Sequence, residues 1–132
     1  MSTELILLPG VPPKGYADGR VGHGHALHVA GQVGWNNGVF EAKDLVGQFA
    51  QALDNVLAVL AAAHAHPSDI AEMTIFVTDI VAYRASRREL GPIWRARFGP
   101  HFPAMALVGT TALVEPDALV EIQCVAYLEH ES

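Results

Sequence analysis

The sequence predicts an α+β fold in which two helices cover one face of a mixed β-sheet. Along the chain, the alternating apolar pattern of strands changes twice to the three- and four-residue spacing of helices. The predicted order is therefore strand, strand, helix, strand, helix, strand, strand. Two helices packed on one sheet form a two-layer sandwich. The length of 132 residues fits a single domain, residues 1–132, without a linker or an internal repeat.

The first third of the chain predicts short strands joined by loops. Residues 4–8 form an apolar run that ends in a Pro- and Gly-rich segment, which indicates an edge strand or an extended arm. Residues 20–23 and 26–31 predict two further strands, and the glycines around His23 are typical of a turn or a bulge. The pair Asn37-Gly38 indicates a tight turn.

The longest regular pattern predicts a helix from Asp44 to about His64. Asp44 is a suitable N-terminal cap, and Pro67 ends the helix because proline disfavours helical geometry in the residue before it. Apolar residues recur at spacings of three and four along one side of this helix. The opposite side, which we expect to face away from the core, is populated by Gln48, Gln51, Asp54 and Asn55.

The second half of the chain predicts three strands and one more helix. Residues 70–78 are β-branched and apolar on both sides, which indicates a central strand. A helix follows at about 81–97, and Gly91-Pro92 is expected to kink it or to break it into two pieces. Residues 102–109 and 119–126 predict the two final strands, joined by a short turn.

The sheet face without helices is expected to be apolar, because Val77, Leu107 and Val125 are assigned to it. The chain has no third layer of helices to cover this face, and 51% of its residues are hydrophobic. Soluble monomers rarely expose a large contiguous apolar surface. We therefore expect the face to be buried against copies of the same chain.

Charge and cysteine content argue against several classes of protein. The net charge is −6, whereas a nucleic-acid-binding domain normally carries a positive balance, so no nucleic-acid partner is expected. Cys124 is the single cysteine, so no intrachain disulfide is expected. Residues 1–8 lack the features of a signal peptide, and no apolar run is expected to span a membrane. A cytoplasmic protein without a membrane partner is the expectation.

Three groups of residues are candidates for chemistry. Glu121 lies in an apolar strand, where a lone carboxylate is costly to bury, so it either faces solvent on an edge strand or borders a pocket. His23, His25 and His28 are spaced so that they could bind a metal. No carboxylate or thiol is near them in sequence, so we expect these histidines to lie in surface turns instead. Cys124 has apolar neighbours and is expected to be buried rather than nucleophilic. Neither a metal nor a cofactor is predicted.

Six segments in the same order resemble the Rid (YjgF-type) family. The match runs from about Gly15 to Leu128. The resemblance implies a chorismate-mutase-like α+β fold and a homotrimer, with three sheets packed into a central barrel and ligand clefts between subunits. Characterised members hydrolyse reactive enamines and imines to ketoacids and ammonia without a metal or cofactor. The segments are Lys14-Gly15-Tyr16, Val29-Ala30-Gly31-Gln32-Val33-Gly34, Gln51-Ala52-Leu53-Asp54-Asn55-Val56, Thr74-Ile75-Phe76-Val77-Thr78-Asp79, Phe102-Pro103-Ala104 and Val120-Glu121-Ile122.

The resemblance also implies roles for individual residues. Tyr16 matches a tyrosine that lines the family's cleft, and Glu121 matches the glutamate thought to position or activate water, so these two are the catalytic candidates. Gly31 matches a glycine whose backbone borders the pocket. Arg87 stands at an asparagine position on the second helix, and Leu107 stands at a cysteine position.

Met105 is the largest departure from the family pattern. The family's enamine deaminases have an arginine here that binds the substrate carboxylate through two hydrogen bonds, and a thioether cannot do this. We therefore expect hydrolytic deamination of a small metabolite other than the usual amino-acid-derived imines. A non-catalytic small-molecule-binding or regulatory trimer is the alternative.

Two arrangements of the pocket stay open. Arg87 is expected on the exposed, arginine-rich face of its helix, but if it reaches the cleft it supplies the missing cation. In the other arrangement, the pocket is apolar and binds a neutral ligand among Tyr16, Trp35, Met105 and Leu107.

Overall fold

The structure, a computed structural model, describes residues 2–10 and 12–129. Three strands precede the first helix, one more than in the predicted order, and the later elements follow that order. A short 3-10 turn, Pro67–Asp69, precedes the fourth strand. The strands and helices are β1 (Thr3–Ile6), β2 (Gly19–Gly22), β3 (His25–Val33), α1 (Leu45–Ala62), β4 (Ile70–Val77), α2 (Ile80–Phe98), β5 (Ala104–Gly109) and β6 (Val120–Leu128).

The main sheet has four strands in the order β3-β6-β4-β5, and β1 pairs with β2 in a separate two-stranded sheet. β4 runs parallel to β5 and antiparallel to β6, so the sheet is mixed. α2 connects β4 to β5, because parallel neighbours need a long crossover. β4 has a neighbour on each side, which confirms the central position predicted for residues 70–78. The two helices pack on this mixed sheet, as predicted.

The connections between strands differ from two expectations. β2 and β3 are consecutive but do not pair, since β2 pairs with β1 and β3 pairs with β6. The glycines before β3 were expected to form a turn or a bulge, and the structure has a bulge within β3 itself, between Val29 and Gln32. β5 and β6 are not neighbours, because β4 lies between them, and residues 110–119 form a crossing connection rather than a short turn.

The assignment of apolar residues to the open sheet face is wrong for two residues of three. Val77 is fully buried in the core beneath the helices, and Leu107 packs against the same core. Val125 does lie on the open face, because its neighbours Cys124 and Ala126 face the core and side chains alternate along a strand.

The open face is also more polar than expected. It contains a hollow of about 420 Å³ whose polar lining residues are His28, Glu72, Thr74 and Gln123. Phe76 and Val125 lie on the same face and are only partly buried. This face is therefore mixed in character, with apolar patches between polar groups.

The central helix of the core is α1. Its 18 residues have a mean hydropathy of 1.4, so by length and composition it would pass for a membrane span, which the sequence prediction overlooked. In the structure its apolar side packs against the sheet, which explains the high hydropathy. The residues of α1 that are buried in this core are Leu45, Phe49, Ala52, Leu53, Val56 and Leu60.

The second helix, α2, is one continuous helix and is not broken into two pieces. Pro92 lies inside it, although proline cannot donate the usual hydrogen bond to the carbonyl of Arg88. Leu90 before the proline and Trp94 after it are both buried in the same core, and this packing holds both parts in helical geometry. Gly99, with a positive φ of 59°, ends the helix.

Gln48 faces the interior, so the prediction that it lies opposite the core is wrong. Its side chain is 1% exposed. Its Nε2 donates to the carbonyl oxygens of Ala42 at 3.2 Å and Asp117 at 2.9 Å, and its Oε1 accepts from the N–H of Leu119 at 2.8 Å. An amide with all these partners can be buried at little cost.

Asn55 is also turned inward, toward the end of β3. Its Nδ2 donates to the carbonyl oxygens of Val33 at 2.9 Å and Trp35 at 2.8 Å. Gln51 orients this amide, because its Nε2 donates to Asn55 Oδ1 at 3.0 Å. Asp54 alone among the four polar residues is exposed. The polar side of α1 therefore binds two loops rather than facing only solvent.

Replacing Gln48 with methionine keeps the length of the side chain and removes its three hydrogen bonds. We expect Gln48→Met to lower the free energy of unfolding by about 2–4 kcal/mol, because buried backbone groups lose their partners. Urea denaturation measures this change. Gln51→Met on the same helix is the control and should cost less than about 1 kcal/mol, since it loses one partly exposed bond. Equal costs for the two variants would contradict the role of Gln48.

His101 is a buried titratable residue near the end of α2. Its side-chain Nε2 lies 2.9 Å from the carbonyl oxygen of Ile70, and its own carbonyl oxygen accepts from Trp94 Nε1 at 3.1 Å. Burial lowers the pKa of His101, and the hydrogen bond to Ile70 opposes part of that change. The folded protein therefore holds this imidazole in its neutral form to a lower pH than the unfolded chain does.

This lowered pKa predicts a loss of stability in acid. As the pH falls below about 6.5, the ordinary pKa of histidine, the unfolded chain takes up a proton at residue 101 before the folded protein does. The free energy of unfolding should therefore decrease with falling pH, and His101→Gln should reduce that decrease. Urea denaturation of both proteins between about pH 8 and about pH 5 checks this. An identical pH dependence in the two proteins would exclude His101 as its source.

Candidate functional site

The Glu121 carboxylate lies directly over the backbone of Gly31. A Cβ atom at Gly31 would lie 2.7 Å from Glu121 Cδ and 3.0 Å from its Oε2, closer than real contacts allow. Glycine at position 31 therefore leaves the room that this carboxylate occupies. Glu121 is partly exposed and Gly31 is exposed, so water reaches both. These two residues form one half of the predicted site, near the β3 edge of the sheet.

Met105 and Arg87 border a cavity between α2 and the β5 edge of the sheet. The cavity has a volume of about 220 Å³. Its interior is formed by apolar residues, among them Phe49, Ile75 and Trp94, which are buried in the core. Arg87 is exposed and lies at the mouth. This cavity is the second half of the predicted site.

One face of α2 supplies one wall of the cavity. Tyr83, Arg87, Leu90 and Trp94 follow one another at spacings of four, three and four, which places them on the same side of a helix. Arg87 is exposed, as expected, and it also borders the cavity.

Tyr16 lies along the outer edge of β5, close to Met105. The N–H of Ala17 donates to the carbonyl oxygen of Pro103 at 2.9 Å, and Ala17 forms a parallel bridge with Ala104. Tyr16 is 44% exposed and borders a shallow hollow of about 320 Å³ that it shares with Met105. Tyr16 therefore belongs to the same edge of the sheet as the cavity.

Trp35 and Leu107 do not line the cavity that Met105 and Arg87 border. The Trp35 ring packs against Phe40 at a centroid distance of 5.7 Å in a small separate cluster. Leu107 pairs with Ile75 and packs against the main core. Neither residue borders the cavity that contains Met105.

Met105 and Glu121, which the sequence assigns to one site, do not face each other within one chain. Met105 pairs with Met73, and Glu121 pairs with Phe76. Met73 and Phe76 are three residues apart in one strand, so their side chains lie on opposite faces of the sheet. The predicted site is therefore divided into two halves, with β4 between them.

Of the eleven residues that line the cavity, only Arg87 and Met105 were predicted as site residues from the sequence. Tyr83 and Trp94 could have been found from Arg87, because they are four residues before it and seven residues after it on the helix. Lys14 and Phe102 belong to segments that resemble the family, but no local pattern marks them as cavity residues, since they reach the cavity from distant parts of the chain.

The electrostatics of the cavity are set by Arg87. Burial raises the pKa of Tyr83, and the positive charge of Arg87 opposes part of that rise, so the guanidinium lies close enough to act on the phenol. The Arg87 Nε donates a long bond of 3.4 Å to the carbonyl oxygen of Arg84. Within the described residues, no carboxylate lies within ion-pair distance of Arg87.

The histidine cluster does not converge on one point. His23 Nε2 lies 3.4 Å from Glu4 Oε1, with both side chains exposed, whereas His28 borders the hollow on the open sheet face. Among residues 2–10 and 12–129, no three His, Cys, Asp or Glu side chains are grouped as metal ligands.

Comparison with known sequences supports a family assignment. The pattern of the family described as Endoribonuclease L-PSP matches residues 11–128. A RutC family protein from Pyrococcus horikoshii is 28% identical over 129 residues, which cover 96% of this chain and 98% of that protein. A RutC family protein from Haemophilus influenzae is 31% identical over 104 residues, which cover 78% of this chain and 79% of that protein.

Solved structures share the fold over nearly the whole chain. A protein of unknown function of the conserved Rid protein family from Yersinia pestis has a TM-score of 0.84 at 30% identity, covering 97% of this chain and 100% of that chain. A member of the YjgF/YER057c/UK114 family from Mycobacterium tuberculosis has a TM-score of 0.66 at 30% identity, covering 96% of this chain and 100% of that chain.

Cys124 provides a test of the core beneath the sheet. It is buried, and burial raises the pKa of its thiol to about 12, with a further contribution from the Glu72 carboxylate. We expect this thiol to be unreactive toward iodoacetamide near neutral pH, because the thiolate is the reactive form. Mass spectrometry should find one label after unfolding in urea and none before it. Rapid labelling of the folded protein would contradict the burial of Cys124.

Proposed function

The chain belongs to the endoribonuclease L-PSP family, which includes the Rid and YjgF proteins, and on that premise we propose that it hydrolyses a small imine or enamine to a ketone and ammonia. The observation that carries the proposal is the position of the Glu121 carboxylate over the exposed backbone of Gly31. A carboxylate that water reaches, next to free backbone groups, has the parts needed to activate a nucleophile without a metal.

In the proposed reaction, Glu121 accepts a proton from a water molecule as the water oxygen attacks the imine carbon, and it passes this proton to the imine nitrogen to give a carbinolamine. The proton of the new hydroxyl group then moves to the nitrogen as the C–N bond breaks, so that ammonia leaves and the carbon keeps the oxygen of the water as a carbonyl group. In this proposal, backbone groups at Gly31 orient the substrate and polarise the C=N bond.

We propose that a homotrimer completes the site. Gly31 lies on β3 at one edge of the sheet and Met105 lies on β5 at the other, so a head-to-tail ring brings the Glu121 half of one copy to the cavity of the next. Burial of the partly apolar open face in such a ring would stabilise the assembly. Val108, for example, is 41% exposed in the single chain. The number of three subunits and a cytoplasmic location rest on the family resemblance.

Two other functions are weaker candidates. Ribonuclease activity, named in the family description, is not extended to this chain because a net charge of −6 opposes nucleic-acid binding. A non-catalytic, ligand-binding trimer is favoured by Met105, which removes the family's carboxylate-binding cation from the cavity. The experiment below separates this alternative from catalysis.

Removing the carboxylate of Glu121 should abolish hydrolysis. We expect Glu121→Gln to reduce ammonia release from imines generated in situ by roughly 100-fold or more, because general base catalysis contributes about that much. Glu89→Gln is the control, since it removes an exposed carboxylate of α2 that lines neither the cavity nor the hollows described above, and it should leave turnover near that of the wild type. Equal turnover in Glu121→Gln and wild type would exclude the proposed mechanism, and no turnover by any form would favour the non-catalytic alternative.

Mixed trimers test whether the site is shared. Glu121→Gln loses one half of the site, and Met105→Trp fills the other half, so each variant alone should be inactive. If equal amounts of the two variants reassemble at random into rings, roughly one site in four combines an intact Glu121 half with an intact Met105 half. Recovery of ammonia release to about that fraction, with sedimentation at the trimer mass, supports the shared site. A stable monomer, or no recovery in verified mixed trimers, argues against it.

A further inference from the structure

The interior of the cavity under α2 has the size and lining of a site for one ring-sized apolar group. Its volume is about 220 Å³, and it is bordered by Phe49, Ile75, Leu90 and Trp94, all of them buried. An apolar cavity of about 150 Å³ is large enough to hold benzene. Met105 completes the apolar lining at the position where the family's deaminases carry an arginine.

The aromatic wall of this cavity is held in place by the surrounding structure. The rings of Trp94 and Phe102 are stacked, with centroids 5.7 Å apart and planes within 3°. Trp94 is anchored from both sides, because its Nε1 donates to the carbonyl oxygen of His101 at 3.1 Å and its ring packs on Phe98 at 4.4 Å. A wall that is already ordered loses little freedom when it binds a flat apolar group.

The mouth of the cavity is cationic, in contrast to the chain as a whole. Lys14 and Arg87 are its exposed charged residues, and no carboxylate lines it, although the net charge of the chain is −6. Tyr83 adds a phenol at the same wall, close to the Arg87 guanidinium. Cationic side chains without a carboxylate partner favour an anionic ligand, and a guanidinium can bind a carboxylate through two hydrogen bonds.

We propose that this cavity binds a carboxylate that carries an aromatic or similarly bulky apolar group, with the apolar group inside the cavity and the carboxylate held at the mouth by Arg87 and Lys14. The ligand class follows from the cavity alone, whereas conversion of such a ligand rests on the proposed function. Under that function, the substrate is the 2-imino acid of an amino acid with an aromatic side chain, and the product is the corresponding 2-oxo acid. The expected exclusion of amino-acid-derived imines then narrows to those with short side chains.

Three stable ketones test the ligand class without any turnover. Phenylpyruvate has both the aromatic ring and the carboxylate, 2-oxobutanoate has the carboxylate with a short chain, and phenylacetone has the ring without the carboxylate. By isothermal titration calorimetry, we expect phenylpyruvate to bind roughly tenfold or more tightly than 2-oxobutanoate, because only the ring fills the apolar interior. Equal or weaker binding of phenylpyruvate would overturn the proposal.

Variants of α2 identify the residue that holds the carboxylate. Arg87→Ala should weaken phenylpyruvate binding by roughly tenfold and leave phenylacetone binding unchanged, since only the acid uses the guanidinium. Arg88→Ala is the matched control, because this exposed arginine lies outside the cavity lining and should change neither affinity. Equal effects of the two substitutions on phenylpyruvate would exclude a specific role for Arg87.

Ammonia release from the imines of the same two acids separates the ligand class from the reaction. Turnover of the short imine by a protein that does not bind phenylpyruvate would preserve the deaminase function and overturn the ligand class. Phenylpyruvate binding that depends on Arg87, together with ammonia release that is unaffected by Glu121→Gln, would support the ligand class and overturn the proposed mechanism.

Discussion

The hydrogen bonds of one buried amide, Gln48, hold the chain segments that form the Glu121 half of the site. They bind Asp117 and Leu119, the last residues of the connection that leads into β6. The end of β3 lies against the same point of α1, where a Cβ at Gly34 would meet the Gln48 carbonyl oxygen at 2.5 Å. The strand that carries Glu121 and the strand that carries the glycine beneath it are thus positioned against one turn of one helix.

The topology of the sheet explains why a single chain contains two half-sites. β4 is inserted between β5 and β6, so Met105 and Glu121 lie on separate strands that never meet. Their side chains also alternate onto opposite faces, one beneath α2 and the other on the open face. A change of side-chain conformation cannot bring Met105 and Glu121 together, because the pairing of β4 with β5 and β6 fixes the face of the sheet on which each side chain lies. Chemistry that needs both halves therefore needs a second copy of the chain.

The elements of the fold were predictable because local patterns determine them. The spacing of apolar residues indicated both helices, and Asp44 was correctly identified as the cap of α1, where it accepts from the N–H of Gly47. The errors arose where distant contacts decide the outcome. Gln48 and Asn55 look like surface residues in a helical pattern, and only their long-range hydrogen bonds make them interior. Pro92 looks like a break, and only tertiary packing keeps α2 continuous.

The methionine at position 105 changes the direction in which a substrate can lie. An arginine there would place a charge among buried groups such as Phe49 and Trp94, which is costly unless the ligand brings a carboxylate into the interior. With Met105 the charges stay at the mouth, on Lys14 and Arg87, where water solvates them in the absence of a ligand. In the proposed complex, the carboxylate is held outside, and the adjacent imine carbon lies at the mouth rather than in the interior. In the proposed head-to-tail ring, the mouth is where the neighbouring Glu121 half approaches, so a methionine at position 105 is compatible with the proposed hydrolysis.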